Sequence, residues 1–165
     1  FANHPGIRLL DENGDLKPEV LEILDLIKEY DATVATGHIS IGESIAVCNA
    51  ARERGVRTVL THPDWTCTTV PADVQTQLVK KGVILEKLWF DIGINHVTAE
   101  YMAQTIRDAG VENCFMATDR GQSGKEYPVE GLMMFMDAML DCGFSVEEID
   151  IMTHENPERV LGLRP

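Results

Sequence analysis

Thr33-Val34-Ala35-Thr36-Gly37-His38 runs from β-branched residues into a glycine and a histidine, and Ser40 then opens a helix. The pattern recurs twice. Arg57-Thr58-Val59-Leu60-Thr61-His62-Pro63 is a second short run ending in a histidine, and Cys114-Phe115-Met116-Ala117-Thr118-Asp119-Arg120 is a third, ending in an aspartate. Apolar runs of this length, rich in β-branched residues and bounded by Gly or Pro, read as buried strands. Strands that alternate with helices lie parallel, so residues at their C-terminal ends converge on one face. His38, His62 and Asp119 are therefore expected together.

The intervening segments read as helices. Pro18 can start one, because its missing N–H is not needed in a first turn, and Val20, Leu21, Leu24 and Ile27 continue it to about Tyr30. Ser40 and Glu43 form an S-x-x-E capping box ahead of a helix over 41–54, closed by Gly55. Further helices are expected over 72–81, over 99–109 with Thr98 as cap, and over 129–142, where the methionines serve as core filler. Ser145 and Glu148 are a second capping box, and Asn156-Pro157 reads as an N-cap followed by an N1 proline. Two more strands are expected, at Ile7–Leu10 and at Val83–Leu85 with Glu86 at its end, while Leu88–Phe90 and Ile92–Ile94 find no clear place. Asn3–Gly6 reads as a turn. Asp11-Glu12-Asn13-Gly14-Asp15 lacks the closing Glu of a calcium loop and reads as a polar turn.

The order β-α-β-α-β-α-β-α-β-α-α predicts a parallel sheet with right-handed crossovers. Its 165 residues suffice for one domain, 1–165, with a real core. Five strands do not close an eight-stranded barrel, which takes about 250 residues. An open doubly wound sheet and the C-terminal part of a (β/α)8 barrel both remain. The chain starts at Phe1 and looks like part of a longer polypeptide.

A net charge of −13 repels phosphate backbones and argues against nucleic acid as partner. No apolar run is long enough to span a membrane, and no signal peptide is visible. None of the four cysteines, Cys48, Cys67, Cys114 and Cys142, has C-x-x-C spacing. Cys48, Cys114 and Cys142 sit where small buried hydrophobes belong, a usage that fits a reducing cytoplasm.

Two imidazoles and a carboxylate at one face can hold a divalent metal: zinc first, with manganese, nickel or iron as alternatives. Asp119 can also act as general base and then protonate a leaving group. Glu86 is either a further ligand or substrate contact, or an ordinary ion-paired acid. Trp65 lies in a polar loop after His62 and either lines a substrate pocket or packs as a surface residue. His96 and His154 read as non-site residues, and His4 stays undecided. The glycines fit neither G-x-G-x-x-G nor a P-loop, and Ser40 has no nucleophile-elbow context.

Thr36-Gly37-His38-Ile39-Ser40, Thr61-His62-Pro63, Ala117-Thr118-Asp119-Arg120-Gly121-Gln122 and the terminal Glu155-Asn156-Pro157-Glu158-Arg159-Val160-Leu161-Gly162-Leu163 resemble the C-terminal half of the amidohydrolase-like metal-dependent hydrolases, in an uncharacterised TIM-barrel branch. The resemblance implies a partial (β/α)8 barrel of about strands four to eight, with Ile7–Leu10 as strand four and Val83–Leu85 as strand seven. It implies His38, His62 and Asp119 as metal ligands, with Asp119 also handling the proton. Trp65, Glu86, Arg120 and Gln122 are candidates for shaping the pocket.

The implied reaction is hydrolysis of a C–N, C–O or P–O bond of a small molecule, and some members of the superfamily use the same ligands as lyases or decarboxylases. The first-strand H-x-H pair and a strand-four lysine or carboxylate are absent. The missing half would then be removed, or supplied by another chain, and an open sheet favours a homo-oligomer. A non-catalytic half-barrel that binds a ligand or assembles with a partner is the alternative reading.

Overall fold

The computed structural model describes residues 6–66, 68–93 and 97–163. His4, Cys67, Ile94 and His96, with most of the turn expected over Asn3–Gly6, lie outside them.

Four strands, β1 (Thr33–Ala35), β2 (Arg57–Leu60), β3 (Ile84–Leu88) and β4 (Cys114–Ala117), form one all-parallel sheet in sequential order. Its register pairs Ala35 with Val59, Leu60 with Leu85, and Leu88 with Ala117. Helices alternate with the strands: α1 (Pro18–Glu29), α2 (Ile41–Glu53), α3 (Ala72–Val79), α4 (Ala99–Ala109) and α5 (Pro128–Asp141). Local chemistry sets their ends. Ser40 and Glu43 make the expected reciprocal cap of α2, and Thr98 caps α4 by accepting from the Tyr101 N–H.

Because side chains alternate along a strand, each strand presents two different surfaces. Leu60, Leu85, Cys114 and Met116 join the main core with Leu78, Met102, Ile106, Phe135 and Met139 from α3, α4 and α5. A smaller cluster of Leu24, Val47, Ala50, Ala51 and Val56 packs α1 against α2. Among the cysteines, Cys48 and Cys114 are buried and Cys142 is partly buried; all three are free thiols.

Three expectations are corrected. The segment Ile7–Leu10 is not a strand of the sheet. Leu10 makes only an isolated antiparallel bridge with Leu16, and the Leu9 N–H is taken by the Glu43 carboxylate at 2.8 Å. The sheet among the described residues therefore has four strands, and the strands-four-to-eight count loses its first member. The strand expected to stop at Leu85 runs on to Leu88, because Glu86 and Lys87 fall on opposite faces and both find partners there.

Third, Asn156 is not an N-cap. Its backbone is helical, and α6 (Val146–Asp150), a π-helical turn (Ile151–Glu155) and α7 (Asn156–Val160) follow without a break. Pro157 has no N–H to give and its ring crowds the preceding turn, which the wider π geometry accommodates. The Asn156 side chain is buried and donates to the carbonyls of Val111 at 2.7 Å and Cys114 at 2.6 Å, tying this terminal segment to the start of β4.

Candidate functional site

His38, Thr61, His62, Glu86, Leu88, Ala117 and Asp119 line one cavity of about 270 Å³ at the C-terminal ends of the strands. Glu86, Leu88 and Ala117 belong to the surface that faces away from the helices. The other members follow the ends of β1, β2 and β4.

The chain bends sharply there. His62 and Asp119 have positive φ, 27° and 47°, and Gly37 has φ 62° just before His38. For non-glycine residues this left-handed region costs energy and persists only where surrounding contacts hold it. At the β1–β2 end those contacts are threonines: Thr61 N–H donates to Thr36 Oγ1 at 3.1 Å, and Gly37 N–H to Thr61 Oγ1 at 3.0 Å.

Nε2 of His38 and Nε2 of His62 are 3.1 Å apart. Thr68 decides the tautomer of His62. Its hydroxyl has one proton, donated to the His62 carbonyl at 2.9 Å, so it accepts from His62 Nδ1–H at 2.8 Å. The Nε2 lone pair of His62 is thereby aimed at His38. Burial, with His38 nearby, lowers the pKa of His62 and favours its neutral form. The pair can share a proton as an Nε2–H···Nε2 hydrogen bond or share a cation.

The ring of Trp65 stands edge-on to both imidazoles, with centroids 5.3 Å from each. Glu86 accepts from the His62 N–H at 3.3 Å, and burial, offset by that bond, raises its pKa. Asp119 lies on the cavity wall and is exposed. Among the described residues no group of three or more His, Cys, Asp or Glu stands close enough together to hold a metal ion. The fit to a metal thus rests on the histidine pair with its fixed tautomer; Asp119 lines the same cavity without joining the pair in a ligand cluster.

Arg120 and Gln122 do not line that cavity. Arg120 turns away to pair with Glu126 at 2.6 Å, and Trp89 Nε1 donates to the same Glu126 oxygen at 2.6 Å. Gln122 is exposed and holds its neighbour's Gly121 N–H at 3.4 Å. His154 pairs with Asp150 and Glu158 on the exposed side of the terminal helix. Sequence reading missed Thr68, whose loop has no periodicity to mark it. It also missed a buried network behind β3, in which Lys87 Nζ donates to Asp64 at 2.7 Å, Gln75 at 2.9 Å and Thr105 at 3.0 Å.

Fold and cavity together define a parallel α/β protein with a paired-histidine site at the strand ends. The chain belongs to the family of unknown function DUF6282, which it matches over residues 2–86. That match takes in His38, His62, Trp65 and Glu86 and ends before Asp119. No curated protein and no solved structure matches the chain.

Proposed function

We propose that this cavity is the divalent-metal centre of a hydrolase of the amidohydrolase type, built on part of a (β/α)8 barrel. The observation that carries the reading is the 3.1 Å Nε2–Nε2 approach with His62 held by Thr68 as the Nδ1–H tautomer. Orientation of a metal-binding imidazole through its other ring nitrogen is the usual way such ligands are set. Zinc suits two neutral imidazoles and a carboxylate, with manganese, nickel and iron as alternatives.

His38 Nε2, His62 Nε2 and an oxygen of Asp119 would hold the ion. When bound, it supplies Lewis-acid activation of water and of the scissile group. The remaining work belongs to the side chains. An oxygen of Asp119 takes the proton of the attacking water and returns it to the leaving atom. Glu86 lines the space left for a small-molecule substrate with a C–N, C–O or P–O bond to be cleaved, while Trp65 lies outside that lining and packs edge-on against both imidazoles.

The free thiols of Cys48, Cys114 and Cys142 fit a cytoplasmic setting, and no helix among the described residues is long and apolar enough to cross a membrane. The open sheet fits completion by further β/α units or by a second copy.

Elemental analysis of the intact protein after loading with zinc or manganese tests the proposal. Stoichiometric metal that falls in His62→Ala and in Asp119→Asn supports it, and turnover in a hydrolytic substrate screen lost in Asp119→Asn extends it. Failure of the unsubstituted protein to retain metal overturns it in favour of a non-catalytic ligand-binding or assembly module.

A further inference from the structure

At the opposite end of the sheet a second cavity, of about 400 Å³, is lined by Arg52, Arg57 and Arg159 together with Gly82, Ile84 and Asn113. Arg57 and Ile84 are the first residues of β2 and β3, and Asn113 immediately precedes β4. The cavity is therefore at the N-terminal strand ends, whereas His38, His62 and Asp119 follow the C-terminal ones. Three guanidinium groups from α2, β2 and α7 converge there, in a chain whose net charge is −13.

Their charges are unevenly compensated. Arg57 pairs with Asp31 at 2.7 Å and donates to Thr33 Oγ1 at 3.2 Å. Among the described residues Arg52 donates only to carbonyls, from Nε to Lys81 at 2.9 Å and from Nη1 to Val56 at 2.6 Å. Arg159 Nη2 donates to the Glu112 carbonyl. None of the ion pairs among the described residues involves Arg52 or Arg159. Backbone carbonyls orient a guanidinium without cancelling its charge. Among the described residues, Nη2 of Arg52, and Nε and Nη1 of Arg159, keep donors to spare.

The backbone leaves room for these groups. A Cβ on Gly82 would stand 2.9 Å from Arg52 Nη2, and one on Gly162 would stand 2.8 Å from Arg57 Nη2. Both glycines have positive φ, 88° and 72°, so each position disfavours a side chain twice over. Partly shielded, pre-oriented guanidinium forks with unused N–H groups are the chemistry that recognises planar or tetrahedral oxyanions.

We propose that Arg52, Arg57 and Arg159 form an oxyanion-binding site, for a phosphate or phosphate-ester group, at the sheet end opposite the histidine cavity. It is independent of any reaction at that cavity. Arg52 and Arg159 supply the uncompensated charge. Arg57, already paired with Asp31, closes one side.

Calorimetric titration of the intact protein with inorganic phosphate at low salt tests this, with sodium acetate as a parallel arm. Saturable one-to-one phosphate binding is expected, weakened about tenfold or more in Arg52→Gln and in Arg159→Gln. Arg159→Lys keeps the charge without the fork and falls between. Binding of acetate as tight as phosphate would instead assign a carboxylate ligand and overturn the phosphate assignment.

Should a glutamine variant fail to fold, the wild type still decides. Its melting midpoint rises with phosphate beyond the rise given by sodium chloride of equal ionic strength. A midpoint that follows ionic strength alone overturns the proposal, as does phosphate binding that folded Arg52→Gln and Arg159→Gln leave unchanged. Sedimentation in the same buffers adds one more check. If phosphate acts only by separating copies of the chain, the arginines serve an interface and the proposal fails.

Discussion

Lys87 and Asp64 form an ion pair of 2.7 Å in which both side chains are wholly excluded from solvent. Lys87 projects from β3 toward the helices, and Asp64 comes from the loop that carries His62 two residues earlier. Gln75 and Thr105 satisfy the remaining polar atoms, so every ammonium proton has an acceptor. The pair fastens the loop after β2 to the sheet beneath it.

Replacing Lys87 by Met leaves the Asp64 carboxylate buried without its charge partner. The expected cost is about 3–5 kcal/mol, because an uncompensated buried charge loses far more than the pair contributes. Chemical denaturation of Lys87→Met, Asp64→Leu and the double variant checks this. The double variant is expected to lose much less than the sum of the two single losses, because it strands no charge.

Thr68→Val removes the group that receives the His62 Nδ1 proton. His62 then no longer has a preferred tautomer, and on the proposed metal centre the affinity is expected to fall about 10–100-fold. Thr68→Ser keeps the hydroxyl and retains most of the affinity. Nitrogen-15 spectra of the imidazole read the tautomer directly. A Thr68→Val protein whose His62 signals match the wild type counts against the assignment.

Asp91 is 1% exposed, and neither carboxylate oxygen has a hydrogen-bond partner among the described residues. Burial, reinforced by the charge of Asp64 and partly offset by Lys87, pushes its pKa from 3.8 to about 7. Between those values the folded chain keeps a proton that the unfolded chain has released. Stability from this group is therefore fully present below 3.8 and is lost as pH rises through about 7. Asp91→Asn is expected to flatten that fall and to raise stability at alkaline pH by about 1–3 kcal/mol. Denaturation curves across the pH range check both signs.

Asn156→Ala removes two donors to the Val111 and Cys114 carbonyls and leaves both acceptors in a buried site. A loss of about 2–3 kcal/mol is expected. Asn156→Asp, similar in size but without the amide donors, is expected to lose at least as much. Thermal unfolding measures both.

Much of the fold was legible because its signals are local. A capping box needs only Ser40 and Glu43, or Ser145 and Glu148, and both form as read. The α4 boundaries at Ala99 and Ala109 follow from Thr98 before and Gly110 after, each acting within one turn. Three strands at Thr33, Arg57 and Cys114 follow from short β-branched or apolar runs. Ile7–Leu10 has the same composition, yet its backbone groups find partners outside the sheet. Composition reports a capacity for pairing and not whether a neighbouring strand is present.

The candidate site divides along the same line. Chain order alone places His38, His62 and Asp119 after their strands, at the ends where parallel strands converge. Packing is what brings two imidazole nitrogens within 3.1 Å, pairs Arg120 with Glu126 away from the cavity, and buries Lys87 while Glu86 faces the site. Chain order and side-chain periodicity act over a few residues. Distances between groups 24 residues apart depend on strand register and helix packing, which the whole chain settles together.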